Sequence, residues 1–145
     1  MARVIEVLFV CTANSARSVI AEYLLNHLGS KDFHARSAGT AAQGIHELTV
    51  RALAEVGIDA SGARSRQVDE YLGTPFDYVI TVCDSAAEAC PVFPGGGKRL
   101  HWSFADPAAV TGTEELRLEA FRATVRAMRD RIEELMHAAR APSSR

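Results

Sequence analysis

The 145-residue sequence holds one tryptophan, five prolines and three cysteines. Each shortage removes a class of protein. An odd cysteine count argues against a secreted disulfide framework. A chain of this length can bury roughly two-thirds of its unfolded surface, so it needs no such staples. Charge of one sign is also lacking: 16 basic residues meet 18 acidic ones, for a net charge of −2. That leaves no footprint for nucleic acid or an anionic membrane surface. No apolar run is long enough to cross a bilayer. The run after Arg3 lacks a small-residue cleavage site and reads as a strand, not a secretion signal. There are no repeats, low-complexity segments or internal boundaries. The expectation is one domain over residues 1–137, a frayed tail over 138–145, and a cytoplasmic setting with reduced thiols.

What is present is alternation of strand and helix patterns. Val4 to Val10 is an apolar run suited to a strand buried on both faces. Helical spacing of Ile20, Leu24, Leu25 and Leu28 predicts a helix over 19–28, with Gly29 as its C′ residue. A short strand is predicted over 33–38, a helix over 44–57, a loop over 58–66 and a short helix over 68–72. The β-branched run 77–82 predicts a third strand, and 98–102 a weaker fourth. Thr111-x-x-Glu114 matches a capping box before a long helix whose apolar stripe is Phe121, Val125, Met128, Ile132 and Leu135. Such alternation predicts a parallel α/β sheet with right-handed crossovers.

Between the first strand and first helix lies Cys11-Thr12-Ala13-Asn14-Ser15-Ala16-Arg17-Ser18. Backbone N–H groups at a helix N-terminus favour an anion in such a loop. Arg17 adds a planar fork of donors that suits a tetrahedral oxyanion. Cys11 stands at the mouth of this positive site, where the thiolate, the nucleophilic form, is favoured. The loop can therefore hold a phosphate-like anion and attack it. A lone cysteine at a strand end would read as a buried structural thiol; Arg17 and Ser18 at this spacing favour the nucleophile.

Ligands of parallel sheets bind at the carboxyl ends of the strands. Cys11 follows the first strand, Cys83 the third, and Asp106 the fourth by a few residues; Cys90 lies on the loop leaving the third. One rim thus gathers three thiols and a carboxylate. Asp106-Pro107 alone is an ordinary turn; beside Cys11 it is a candidate proton donor. The five histidines lack paired ligand spacing, so no metal site is predicted. His101 reads as a packed or hydrogen-bonded strand residue. Trp102 and Phe104 fit either the site mouth or the core. Gly95 to Lys98 lacks a phosphate-loop pattern and reads as a turn.

Cysteine, five residues, arginine and serine resembles the motif of the low-molecular-weight protein tyrosine phosphatases and of the arsenate reductases built on the same fold. The resemblance covers nearly the whole chain. It implies a three-layer α/β fold with a four-stranded parallel sheet in order 2-1-3-4 and helices on both faces. It implies Cys11 as nucleophile, Arg17 as oxyanion clamp, and residues Thr12, Ala13, Asn14, Ser15, Ala16, Arg17 and Ser18 as the substrate-binding loop. Asn14 would shape that loop, Ser18 would bond the Cys11 sulfur, and Asp106 would be the general acid. Many members carry glycine where Ala13 stands. Alanine is strained at positive φ, so a tolerated conformation is expected there.

The segments Cys83 to Pro94 and His101-Trp-Ser-Phe-Ala-Asp106-Pro107 resemble thioredoxin-coupled arsenate reductases. That resemblance implies arsenate reduction through a Cys11, Cys83 and Cys90 relay, with no bound cofactor and an external thiol reductant. Thioredoxin is implied; glutaredoxin or a low-molecular-weight thiol fits the residues as well. A monomer is expected. Cys83 and Cys90 lie about 10 Å apart if the stretch between them is helical, whereas a disulfide needs Cα atoms within roughly 7 Å. The segment must then change shape in each turnover.

The nearest rival is a phosphatase acting on phosphotyrosine or a small phosphate ester, for which Cys11, Arg17 and Asp106 suffice. Family members specific for phosphotyrosine carry aromatic residues after the Asp-Pro; here Ala108-Ala109-Val110 follows. A non-enzymatic redox sensor would need the thiols but not Asp106. Some arsenate reductases of this family bind potassium beside the loop through residues matched by Asn14 and Ser37. Their remaining side-chain ligands align with Arg64 and Arg66, which cannot ligate a cation.

Overall fold

Strand β1 (Ile5–Cys11) is the axis of the sheet. Val7, Leu8, Phe9 and Val10 have no exposed surface. Side chains alternate along a strand, so burial of four consecutive residues means that both faces are covered. The computed structural model describes residues 3–91, 93 and 97–140. The order of elements is β1, α1 (Arg17–Leu28), β2 (Phe33–Gly39), α2 (Glu47–Glu55), β3 (Tyr78–Thr81), α3 (Asp84–Ala89), β4 (Lys98–His101) and α4 (Glu114–Arg140). Single 3-10 turns occupy Val68–Tyr71 and Pro107–Ala109. The sheet runs β2-β1-β3-β4, and every pair is parallel. This is the predicted order.

Register carries the site. Cys11 pairs with Gly39, and Val10 pairs with both Ala38 and Thr81. The ends of β1, β2 and β3 are therefore level, and the segments leaving them meet on one rim. Helix α4 packs on α1 and α2 with Leu118, Phe121, Val125, Met128, Ile132 and Leu135 buried, the expected stripe. Trp102 belongs to the core: its ring lies 5.8 Å from that of Phe9 and beneath the guanidinium of Arg131.

Several boundaries differ from the sequence reading, each for a local reason. The N-cap of α4 is Thr113, whose hydroxyl accepts from Leu116 N–H at 3.1 Å. Thr111 is not the cap, and the predicted capping box does not form. The same helix continues through Arg140 instead of fraying from Ala138. Arg140 pairs with Asp32 at 2.7 Å and lies over the Phe33 ring. Helix α2 begins three residues late, because His46 caps it by accepting from Leu48 N–H. Gly29 is the C-cap of α1 at φ −122°, not a left-handed C′ residue. Gly57, at φ +82°, does stop α2 as expected. Residues 141–145, and Gly95 and Gly96 of the predicted Gly95–Lys98 turn, lie outside the described residues.

Gly39 is required by proximity. A Cβ there would stand 2.5 Å from the Thr12 carbonyl oxygen and 3.0 Å from Asn14 N. Both are backbone atoms, which cannot swing aside. Gly39→Ala should cost about 1–3 kcal/mol, as overpacking does elsewhere, and should weaken phosphate binding because the displaced atoms belong to the Cys11 loop. A thermal melt and a phosphate titration check both; an unchanged melting temperature would contradict the close approach.

Candidate active site

The loop from Cys11 to Ser18 is shaped by what happens to its carbonyls. Cys11 O accepts from Thr40 N–H at 3.0 Å, Thr12 O from Ala41 at 2.8 Å, Ala13 O from Gln43 at 2.9 Å and Ser15 O from His46 at 3.0 Å. The Ser65 hydroxyl bonds Asn14 O at 2.9 Å, and Thr49 adds a bond to Ser15 O. Each acceptor is thus turned outward, onto the segment after β2, the start of α2, or Ser65. A trans peptide points its C=O and the next N–H in opposite directions, and no peptide here is cis. The N–H groups of residues 12 to 16 therefore turn inward. The Asn14 N–H shows it directly, donating to Cys11 Sγ at 3.2 Å. Helix α1 starts at Arg17 behind Ala16, which has no side-chain cap to offer. Its first N–H groups join the same positive concavity.

Asn14 is the keystone. It is fully buried and sits at φ 48°, the left-handed region that asparagine tolerates better than most residues. No positive φ falls on Ala13, so alanine there is unstrained, as expected. Asn14 Nδ2 donates to Ser18 Oγ at 2.8 Å and to Ser37 Oγ at 2.9 Å, while Oδ1 accepts from Arg66 N–H at 2.7 Å. Ser18 Oγ lies 2.8 Å from Cys11 Sγ. Because Ser18 already accepts from Asn14, its own hydrogen is free to point at the sulfur. Two donors thus converge on Sγ. The side chains of Asn14 and Ser18 face the sulfur and the interior, so they serve the concavity only through backbone.

Arg17 reaches across the rim. Its Nη1 donates to Phe104 O at 2.9 Å, and Nη2 stands 3.9 Å from Asp106 Oδ2. Asp106 caps the short 3-10 turn by accepting from Ala108 N–H at 2.9 Å. Its side chain remains 47% exposed. Arginine and carboxylate thus flank the loop from the β4 side, where an oxygen of a bound oxyanion would lie.

The three thiols are all free and buried. Cys83 Sγ is 3.4 Å from Thr12 Oγ1, so the second thiol lies against the residue next to Cys11. Cys90 is not brought to that place. It is the C-cap of α3, at the opposite end of the helix from Cys83, and its Sγ lies 3.6 Å from the Pro91 carbonyl. Burial pushes the Cys90 thiol up from its ordinary range, and the nearby Arg99 guanidinium works against that shift. His101 is hydrogen-bonded, as expected, through Thr81 and Asp84.

Three contributors escaped the sequence reading. Glu22, on α1, accepts the Ser37 hydroxyl and extends the chain Ser37, Asn14, Ser18, Cys11 by one link. Burial pushes its carboxyl above the usual range, while the Ser37 bond and the Arg66 charge pull it down. His46 and Ser65 hold loop carbonyls. Nothing in the sequence singles out Glu22, and backbone-directed contacts leave no signal.

The profile described as low molecular weight phosphotyrosine protein phosphatase matches residues 6–143. The chain belongs to that family. Within it, an arsenate reductase of Shouchella clausii is 42% identical over 114 residues, covering 79% of this chain and 82% of that protein. A structure described as an arsenate reductase in oxidized state superposes with a TM-score of 0.78 at 28% identity, covering 92% of this chain and 97% of the other. A Corynebacterium glutamicum thioredoxin-dependent arsenate reductase gives 0.69 at 30% identity, covering 94% and 62%. No described helix is long and apolar enough to cross a membrane.

Asn14 and Ser37, which match potassium ligands of some family members, are engaged with protein groups here. Asn14 Oδ1 is taken by Arg66 N–H, and Ser37 Oγ accepts from Asn14 and donates to Glu22. The Arg66 charge acts on Glu22 from close by and repels a cation. A ligand that binds only the folded state raises the melting temperature. Replacing sodium by potassium at fixed ionic strength should therefore leave the melting temperature unchanged; a potassium-dependent rise would mean that an ion displaces this network.

Proposed function

We propose that the protein is an arsenate reductase that works through a nucleophilic Cys11 and a Cys11, Cys83 and Cys90 thiol relay. Arsenate has the shape and charge of phosphate, and the inward N–H groups with Arg17 suit its oxygens. The Cys11 thiolate attacks arsenic, and Asp106 protonates the departing oxygen as water. Cys83 then attacks Cys11 Sγ. The electron pair of the sulfur–arsenic bond stays with arsenic, which leaves as arsenite, and a Cys11–Cys83 disulfide remains. Cys90 attacks Cys83, Cys11 departs as thiolate, and the Cys83–Cys90 disulfide awaits an external dithiol. Thioredoxin is the assigned reductant, with support from the thioredoxin-dependent relative; glutaredoxin is the alternative.

The observation that carries reduction over simple hydrolysis is Cys83 Sγ at 3.4 Å from Thr12 Oγ1. Hydrolysis needs no second thiol beside the nucleophile. Curated relatives at about 42% identity that are arsenate reductases support the same choice. The site chemistry also suits a side activity on phosphate esters. The assignment predicts a monomeric, cytoplasmic enzyme with no bound cofactor.

The direct test is arsenite production by the purified protein with thioredoxin, thioredoxin reductase and NADPH, with glutaredoxin run in parallel. Cys11→Ser should abolish arsenate reduction and any hydrolysis of p-nitrophenyl phosphate, since an alcohol stays protonated where a thiol ionises. Cys83→Ser should stop multiple-turnover reduction but spare ester hydrolysis. If Cys83→Ser still turns over arsenate at the wild-type rate, the relay is wrong. Asp106→Asn should lower turnover by about 10²–10⁴-fold, the usual worth of a general acid. Unchanged turnover in that variant would remove Asp106 as the acid, and no turnover by the wild type would favour a redox sensor.

A further inference from the structure

Strand β4 serves two neighbours with its two faces. Lys98, Leu100 and Trp102 line a groove closed by Arg131 and Leu135 of α4. Arg99 and His101 alternate with them on the other face, and both reach α3. His101 Nε2 is 2.8 Å from Asp84 Oδ1, and Ser103 donates to the same oxygen at 3.1 Å. The other ring nitrogen of His101 lies 2.7 Å from Thr81 Oγ1, which ties it to β3. These bonds hold the Asp84 carboxyl below the usual range. The residue next to Cys83 is thus anchored to the sheet.

The far end of α3 is held differently. Arg99 Nη2 donates to the Cys90 carbonyl at 2.9 Å and Nη1 to the Pro91 carbonyl at 3.0 Å. Between the two ends, only Ala86 of residues 84–89 is buried. Cys83 and Cys90 flank the six residues of α3 and, seven positions apart, lie about 10 Å from each other along a helix, whereas a disulfide needs roughly 7 Å or less between Cα atoms. With the Cys83 end anchored against Thr12, it is the Cys90 end that travels. A rigid guanidinium fork bound to two successive carbonyls cannot follow them through that change.

We propose that Arg99 is the latch of the redox segment: it holds Cys90 away from Cys83 in the dithiol form and lets go each time their disulfide forms. The proposal rests on the three-thiol relay. In that step the Cys90 thiolate attacks Cys83 Sγ and its proton goes to solvent. The Cys11–Cys83 bond breaks with its electron pair on Cys11, and a Cys83–Cys90 bond replaces it. One disulfide is exchanged for another, so no outside oxidant is required. The latch bonds exist only on the dithiol side, so they favour the dithiol. Arg99 is a positioning residue, touching neither the oxyanion loop nor Asp106.

The test compares wild type, Arg99→Ala and Arg99→Lys, each equilibrated with mixtures of oxidised and reduced dithiothreitol. The Cys83–Cys90 disulfide is quantified by mass after alkylation. Arg99→Ala should shift the equilibrium toward the disulfide about tenfold, the lower end for a hydrogen bond to a charged group, because the site is exposed. Arg99→Lys, which keeps the charge but not the fork, should shift it less, in the same direction. Amide exchange over residues 84–90 should quicken in the dithiol form of Arg99→Ala and match wild type in the oxidised form. Protection of Cys11 from alkylation by phosphate should stay as in wild type. Equilibrium constants equal to wild type in both folded variants overturn the latch and leave the relay standing. Failure of the wild type to form the Cys83–Cys90 disulfide after arsenate turnover removes the relay, and the latch with it.

Discussion

The site depends on the direction in which a handful of carbonyls point. Between Cys11 and Ser15 each C=O is drawn outward by a donor supplied from elsewhere: Thr40, Ala41, Gln43, His46, Thr49 or Ser65. Planarity then turns the N–H groups inward. The loop's own side chains contribute little to this, apart from Asn14. The anion site is in that sense made by β2's exit and the start of α2. Those segments stand where they do because Cys11 and Gly39 share one register position. Gly39 allows the approach, having no Cβ to meet the Thr12 carbonyl.

This explains what could be read in advance. The placing of Cys11, Cys83 and Asp106 on one rim was legible from the alternation of strands and helices; strand order and the Ser18 bond to sulfur were legible only through the family resemblance. The partners of the loop carbonyls were not. Donation from a backbone N–H leaves no mark on residue identity, and Ser65 looks like any loop serine. Glu22 was hidden because its task is set by Ser37, on a different element. Thr111 was preferred over Thr113 because the capping-box pattern rewards the glutamate three residues on. The helix instead begins at Glu114 itself, with Thr113 bonding Leu116 N–H.

Two kinds of stability meet on the same rim. The Cys11 loop is held by bonds to several elements, and Asn14 at its centre is fully buried. Opening it would cost several of these bonds together. Helix α3 has six residues, one of them buried, and is held chiefly at its ends. Segments with few buried contacts open at small free-energy cost. Chemistry that needs fixed donors thus sits on the first, and chemistry that needs displacement sits on the second. Thr12 joins them, as a member of the loop that touches Cys83.

Trp102 follows His101 on the strand that holds α3, but on its opposite face, 6% exposed against Phe9 and Arg131. It is the only tryptophan in the chain. Indole emission from the intact protein therefore has a single, dry origin on the sheet edge, on the face of the strand away from Arg99 and His101. A movement confined to α3 leaves that environment in place, whereas separation of β4 from α4 wets it. Fluorescence thereby distinguishes a working switch from an unravelling edge without any label being attached.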